Sequence, residues 1–167
     1  MTPSALHRVG QFWRHASARV TPEERVTAET VLGPSLAPLF LRLPVNDQRH
    51  GLDVLHTVTQ LEGRPSLLLQ QAALLHDVGK GGARFSVVDR SLTVFLEAVA
   101  PGMLRSMLAA RPAFAQRFAS YRDHARIGAE RLHTLGADEL AAIVAEHHAA
   151  NPASEVTRRL KRADGRN

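Results

Sequence analysis

The chain has 167 residues, 44% of them hydrophobic, and a net charge of +5. That length suits one domain with a real core, and no window approaches the roughly 18 uninterrupted apolar residues of a membrane-spanning helix; the most apolar stretch, Ser66 to Leu75, is short and holds Gln70 and Gln71. The absence of cysteine excludes disulfides, thiolate zinc sites, iron–sulfur clusters and cysteine nucleophiles, so any metal must be held by nitrogen and oxygen.

Of the 21 cations, 19 are arginine and two, Lys80 and Lys161, are lysine. The planar arginine fork suits phosphate, but a GC-rich genome produces the same bias, so it carries little weight. Residues 1–8 lack an apolar stretch followed by a small-residue cleavage site, and a cytoplasmic location is expected.

The apolar spacing is helical almost throughout, with Ala and Leu dominant and few alternating β-branched runs, which predicts an all-α fold, a compact bundle of several helices. A first helix is expected over Ser4 to Arg19. Thr21-Pro22-Glu23-Glu24 then supplies an N-cap, a first-turn proline and first-turn acids for a second helix, which Gly33-Pro34 should stop. A short helix near Ser35 to Arg42 follows, and Pro44-Val45-Asn46-Asp47 opens a longer one reaching about Leu61, with His50 in its first turns.

Gly63-Arg64-Pro65-Ser66 breaks the chain, and the run Leu67 to Leu75 predicts a helix buried on all sides that delivers His76 and Asp77 at its end. Gly79, Gly81 and Gly82 release it. Helices are expected over Val87 to Ala98 and Met103 to Ala110, interrupted by Pro101-Gly102 and Arg111-Pro112, in a segment that could lie over a site. Ser120 to Leu135 and Asp138 to His148 should form the next two, separated by Gly136, and Ser154 to Ala163 the last.

An ionisable pair at the end of a buried helix needs compensation. His76 capping its helix while Asp77 pairs with an arginine is one answer. The other is a divalent cation, for which neutral imidazole and carboxylate are both ligands, with Asp77 able to bridge two ions through its two oxygens.

The surroundings favour the second. Ala72-Ala73-Leu74-Leu75-His76-Asp77-Val78-Gly79-Lys80 resembles the signature helix of the HD superfamily of metal-dependent phosphohydrolases: an apolar run, His-Asp, a small apolar residue, Gly and Lys. The family's first histidine lies on an earlier helix, and His50, 26 residues upstream within Gln48-Arg49-His50-Gly51-Leu52-Asp53-Val54, matches it; His56 lacks that framing. His124-Ala125-Arg126-Ile127-Gly128-Ala129 resembles the segment in which dinuclear members carry a histidine before Gly-Ala. Glu146-His147-His148 resembles their double-histidine ending, and Ala163-Asp164 the closing Ala-Asp.

The resemblance covers about residues 46–164 and implies an HD-domain bundle, with residues 1–45 packed on it in a single domain. It implies that His50, His76, Asp77 and Asp164 hold one metal and that Asp77, His124, His147 and His148 hold a second, Asp77 being the bridge. Ligation without sulfur suits manganese, iron, nickel, cobalt or zinc. Asp164 stands three residues from Asn167, on a terminus prone to fray unless something pins it.

The implied activity is hydrolysis of a phosphoester, a nucleotide-type phosphodiester or phosphomonoester, by metal-activated hydroxide, with Asp77 and Lys80 as catalytic groups and Lys80 stabilising phosphoryl charge. The expected partner is a small phosphorylated substrate, a nucleotide, with no membrane. Arg84 and Arg90 could reach an anionic substrate. The basic tail Arg158, Arg159, Lys161, Arg162 and Arg166 is weak support for nucleic acid. Two alternatives share the scaffold: a non-catalytic nucleotide-binding module, and a di-iron oxygenase.

Overall fold

The structure, a computed structural model, describes residues 19–82, 85 and 87–167, and the helix expected over Ser4 to Arg19 lies outside them save for its last residue. Among the described residues the fold is all-α, nine helices without a strand. Helix α1 spans Pro22–Leu41, α2 Val45–Glu62, α3 Leu67–Leu75, and a 3₁₀ turn Val78–Gly82; α4 spans Val87–Val99, α5 Pro101–Ala110, α6 Pro112–Arg122, α7 His124–Thr134, α8 Asp138–Glu146 and α9 Glu155–Asp164.

Local chemistry sets most of these bounds. Thr21 Oγ1 accepts from the Glu24 N–H at 3.2 Å while the Thr21 N–H donates to the Glu24 carboxylate at 2.9 Å, a reciprocal capping box. Gly33, at φ 66° and ψ 177°, leaves helical geometry, so the expected stop is a kink inside α1. Ser66 caps α3 through the Leu69 N–H, and Ser154 caps α9 through those of Val156 and Thr157.

Two expectations are corrected. Pro101 opens α5 as its first residue instead of lying in a break, because its missing N–H costs nothing there. The helix expected over Ser120 to Leu135 is divided at Asp123 (φ −90°, ψ 9°), and α6 extends back to Pro112.

The centre of the bundle is α3. It packs against α1, α2, α8 and α9, and Leu69 and Ala72 to Leu75 are all buried. The expectation of burial on all sides is corrected at its start, where Leu67 is exposed and Gln70 and Gln71 are half-buried; burying each of Leu69, Leu74 and Leu75 stabilises the fold by about 1.5–3 kcal/mol. Phe40, Val54, Val58, Leu132, Val144 and Leu160 complete the core around it. The consequence for function is positional: the residues that follow α3, His76 and Asp77, emerge at the middle of the molecule.

No helix of the described residues is long and apolar enough to cross a membrane.

Candidate metal centre

Helix α3 ends at Leu75, and His76 is its C-cap. The last carbonyls of a helix lack intrahelical donors, and one is met by the imidazole: His76 Nδ1 lies 3.0 Å from the Ala73 carbonyl, three residues back. The same contact recurs twice. His147, which caps α8, places Nδ1 2.6 Å from the Val144 carbonyl, and His124, after the break at Asp123, places Nδ1 2.6 Å from the Tyr121 carbonyl. A carbonyl oxygen only accepts, so each Nδ1 carries a proton, and in the neutral ring it is Nε2, turned inward, that presents the lone pair. The division of the expected 120–135 helix thus has a purpose: it frees the Tyr121 carbonyl to orient His124.

Two groups result, each with ligand atoms within 4.8 Å of one another: His50, His76 and Asp164, and His124, His147 and His148. Asp77 stands between them. Its Oδ2 lies 3.7 Å from His76 Nε2 and 4.0 Å from His50 Nε2, while its Oδ1 lies 3.3 Å from His124 Nε2 and 3.9 Å from His147 Nε2. Asp164 Oδ1 is 3.0 Å from His50 Nε2 and 3.7 Å from His76 Nε2. The rings of His76 and His147, 5.5 Å apart, form a wall common to both groups. All seven residues singled out as ligands therefore converge. His56 does not join them; it is exposed and bonds Gln60.

Burial grades from floor to mouth. The side chains of His76, Asp77, His124 and His147 are at most 6% exposed, whereas His50 is 23% and Asp164 32% exposed, and His148 is open to solvent. Lys80 stands at the mouth, donating to Asp77 Oδ2 at 2.5 Å. Asp77 thus pairs with a lysine, where an arginine was the alternative considered. Arg84 and the side chain of Arg90 lie outside the described residues.

The electrostatics favour the neutral imidazole at His76, His147 and His148 and the ionised carboxylate at Asp77 and Asp164, the forms that ligate a cation, while His50 is shifted the other way. Burial pushes the His147 imidazole down to about 3, and lowers His76 and His148 as well. Burial works to raise the Asp77 carboxyl, but the surrounding His76, Lys80 and His124 outweigh it and hold it well below the usual carboxylate range. Asp164 is likewise lowered against its burial, chiefly by His50; burial works to lower His50, which Asp164 and Asp77 more than offset, leaving it raised.

One atom tests whether a cation fits. His147 Nε2 is buried and has no hydrogen-bond partner among the described residues, a lone pair without a donor at a cost of about 1–3 kcal/mol. A divalent cation satisfies such an atom, and neutral imidazoles beside ionised carboxylates form the donor set that borderline cations take.

Two glycines make the approach possible. A Cβ on Gly79 would stand 1.8 Å from the His124 carbonyl oxygen, and one on Gly128 would stand 3.0 Å from the Val78 side chain and 3.1 Å from the Gly79 nitrogen. The 3₁₀ turn and α7 interlock there, backbone against backbone, which sets His124 opposite Asp77. Arg131 ties the same joint by donating to the Val78 carbonyl at 3.0 Å.

The C-terminal end is pinned. Asn167 Nδ2 donates to Thr57 Oγ1 at 3.1 Å and to the Ala163 carbonyl at 2.9 Å, so the turn after Asp164 is fastened to α2. Sequence reasoning missed Tyr121, whose ring is stacked 6.0 Å from that of His124 and 5.1 Å from that of Phe85, with Lys80 Nζ 5.9 Å from its centroid. Its place three residues before His124 was the available signal.

The model of the family described as "Cas3, HD domain" matches residues 42–166. No curated protein and no solved structure matches the chain. With three quarters of its length matched, and with clustered histidines and aspartates fit for a divalent metal at the end of its central helix, the chain belongs to the Cas3 HD-domain family and so to the HD superfamily of metal-dependent phosphohydrolases.

Proposed function

We propose that the chain hydrolyses phosphodiester bonds of nucleic-acid strands at a centre of two divalent cations. The observation that carries the dinuclear part is the opposition of the two Asp77 oxygens, one facing His50 and His76 and the other facing His124 and His147. The substrate class follows from the family, whose HD domains are typically nucleases.

On this reading His50, His76 and Asp164 would hold one cation and His124, His147 and His148 the other, with Asp77 between them serving both. Manganese, iron, nickel, cobalt and zinc all suit such ligands. When bound, such a pair supplies Lewis acidity towards a phosphate and a nucleophilic water at neutral pH.

The chain's own residues do the rest. The backbone contacts of His76, His124 and His147 keep three lone pairs aimed without any change on substrate arrival, so no reorganisation accompanies reaction. Lys80, at the mouth beside Asp77, transfers a donor N–H to a non-bridging phosphoryl oxygen and offsets charge that grows there. The buried floor excludes bulk water from the side opposite the substrate, and the more open edge at His50, Asp164 and His148 is where a strand enters.

The test is a cleavage assay on single-stranded DNA and on bis(4-nitrophenyl) phosphate, with protein stripped of metal and reloaded with each of the five cations beside the Asp77→Ala variant. Metal-dependent cleavage absent from the variant is expected. Tight metal binding without turnover of any phosphodiester would overturn the proposal.

A further inference from the structure

Beyond the ligands, the chain from His148 to α9 borders an open, solvent-facing cavity of about 370 Å³ lined by Ala150, Asn151, Pro152, Arg158 and Lys161. That size is at the lower end for small-ligand sites. Its lining includes two cations and no acid. Arg158 is held in place: Nη1 donates to the carbonyls of Pro152 and Ala153 at 2.9 and 3.0 Å, and Nε to Glu155 at 2.8 Å. Glu155 offsets that charge. Lys161 Nζ meets the Ala149 carbonyl, not a carboxylate, so its charge and its remaining N–H donors serve the cavity. Asn151 adds a side-chain amide.

The cavity is lined by residues of the same two segments that carry His148 and Asp164. Lys161 precedes Asp164 by three residues on α9, so the two side chains are neighbours on one helix face, about 5–6 Å apart at Cβ. The carbonyl that Lys161 holds belongs to Ala149, the residue after His148. Asp164 and His148 are also the open edge of the centre, while the opposite side is buried.

We propose that this cavity is a phosphate subsite, in which Lys161 and Arg158, aided by Asn151, bind a backbone phosphate flanking the one that is hydrolysed. The inference rests on the nuclease reading and deepens it, because a second phosphate site beside the first selects a strand over a mononucleotide. Lys161 is a positioning residue: it fixes the strand's register across the centre and does not touch the reacting phosphate.

The experiment compares the full chain with Lys161→Gln and Lys161→Arg. It measures binding of a fluorescent single-stranded oligonucleotide against salt concentration, and hydrolysis of both the oligonucleotide and bis(4-nitrophenyl) phosphate, which has no flanking phosphate. For Lys161→Gln the slope of log affinity against log salt should fall in magnitude by about 0.7, the share of one single-strand phosphate contact. Affinity should weaken equally across sequences and oligonucleotide KM should rise, with the small diester hydrolysed as before and Lys161→Arg retaining the wild-type slope. An unchanged slope, or a parallel loss on both substrates, would overturn the subsite. Absence of hydrolysis by the wild type would overturn the nuclease reading instead, and the slopes would still decide the subsite.

Discussion

Gly79 sits so close to His124 that a Cβ would lie 1.8 Å from the His124 carbonyl oxygen, and the obstacle is backbone, which cannot rotate away. Gly79→Ala must therefore push the 3₁₀ turn off α7. Overpacking of this kind costs about 1–3 kcal/mol, and the upper end is expected here. For a chain of this size that lowers Tm by roughly 6–12 °C. Thermal denaturation checks the stability, and metal titration should show weaker binding as His124 is displaced from Asp77; an alanine that leaves both unchanged would contradict the interlock.

The two groups flanking Asp77 should lose ions separately. Asp164→Asn is expected to weaken one ion by about 100-fold or more, the upper end seen for partners that merely orient a ligand, and His148→Ala to weaken the other. Elemental analysis after dialysis should find about one equivalent retained by each variant and less by Asp77→Ala. Loss of both ions from either single variant would show that the groups do not load independently.

Metal should stabilise the fold as well as activate it, since the buried Nε2 of His147 has no hydrogen-bond partner among the described residues. Cation at a hundredfold excess over its Kd adds about 2.7 kcal/mol, a rise in Tm of roughly 5–11 °C for this length. Differential scanning calorimetry of stripped and reloaded protein measures it. Equal melting temperatures would mean that the cation does not meet the buried nitrogens.

In metal-stripped protein, stability should fall as pH drops from about 6.5 towards 3. His147 is held near 3 by burial against a usual 6.5, so between those values the unfolded chain takes a proton that the folded chain refuses. His76 and His148, also lowered, act in the same direction. His50, raised, opposes them: its contribution is full below 6.5 and is lost as pH climbs through its folded value. Asp77 and Asp164, both lowered, contribute above their usual 3.8 and withdraw that contribution as pH falls further. Urea midpoints at about pH 7, 5.5 and 4 are expected to decline in that order; a flat series would contradict the burial of neutral His147.

Much of this was legible in the sequence, and for identifiable reasons. The largely apolar run Leu67 to Leu75 forms a helix with its predicted bounds, buried from Ala72 to Leu75 and open at Leu67. The cap at Thr21 and the glycine at 33 act through their own backbone, so their effects follow from local chemistry. The break at Asp123 depends on α7 docking against Gly79, a contact between residues far apart in sequence, and apolar spacing holds no trace of it. The cavity beside Lys161 is likewise tertiary: five arginines and lysines near the end of the chain read as one basic tail, yet Arg158 and Arg159 both pair with Glu155, and only the folded loop from Ala149 to Ser154 distinguishes Lys161.

The three histidines on the floor of the site are aimed by main-chain carbonyls of Ala73, Tyr121 and Val144. Every amino acid carries that atom. Mutation at those three positions can alter packing but cannot delete the acceptor, so the aim of the imidazoles is insured against drift in a way that a carboxylate partner would not be. Sequences descended from this one can therefore diverge widely around the centre, keeping little more than the ligands, the two interlocked glycines and the helix ends, and still place the same nitrogens on the same points.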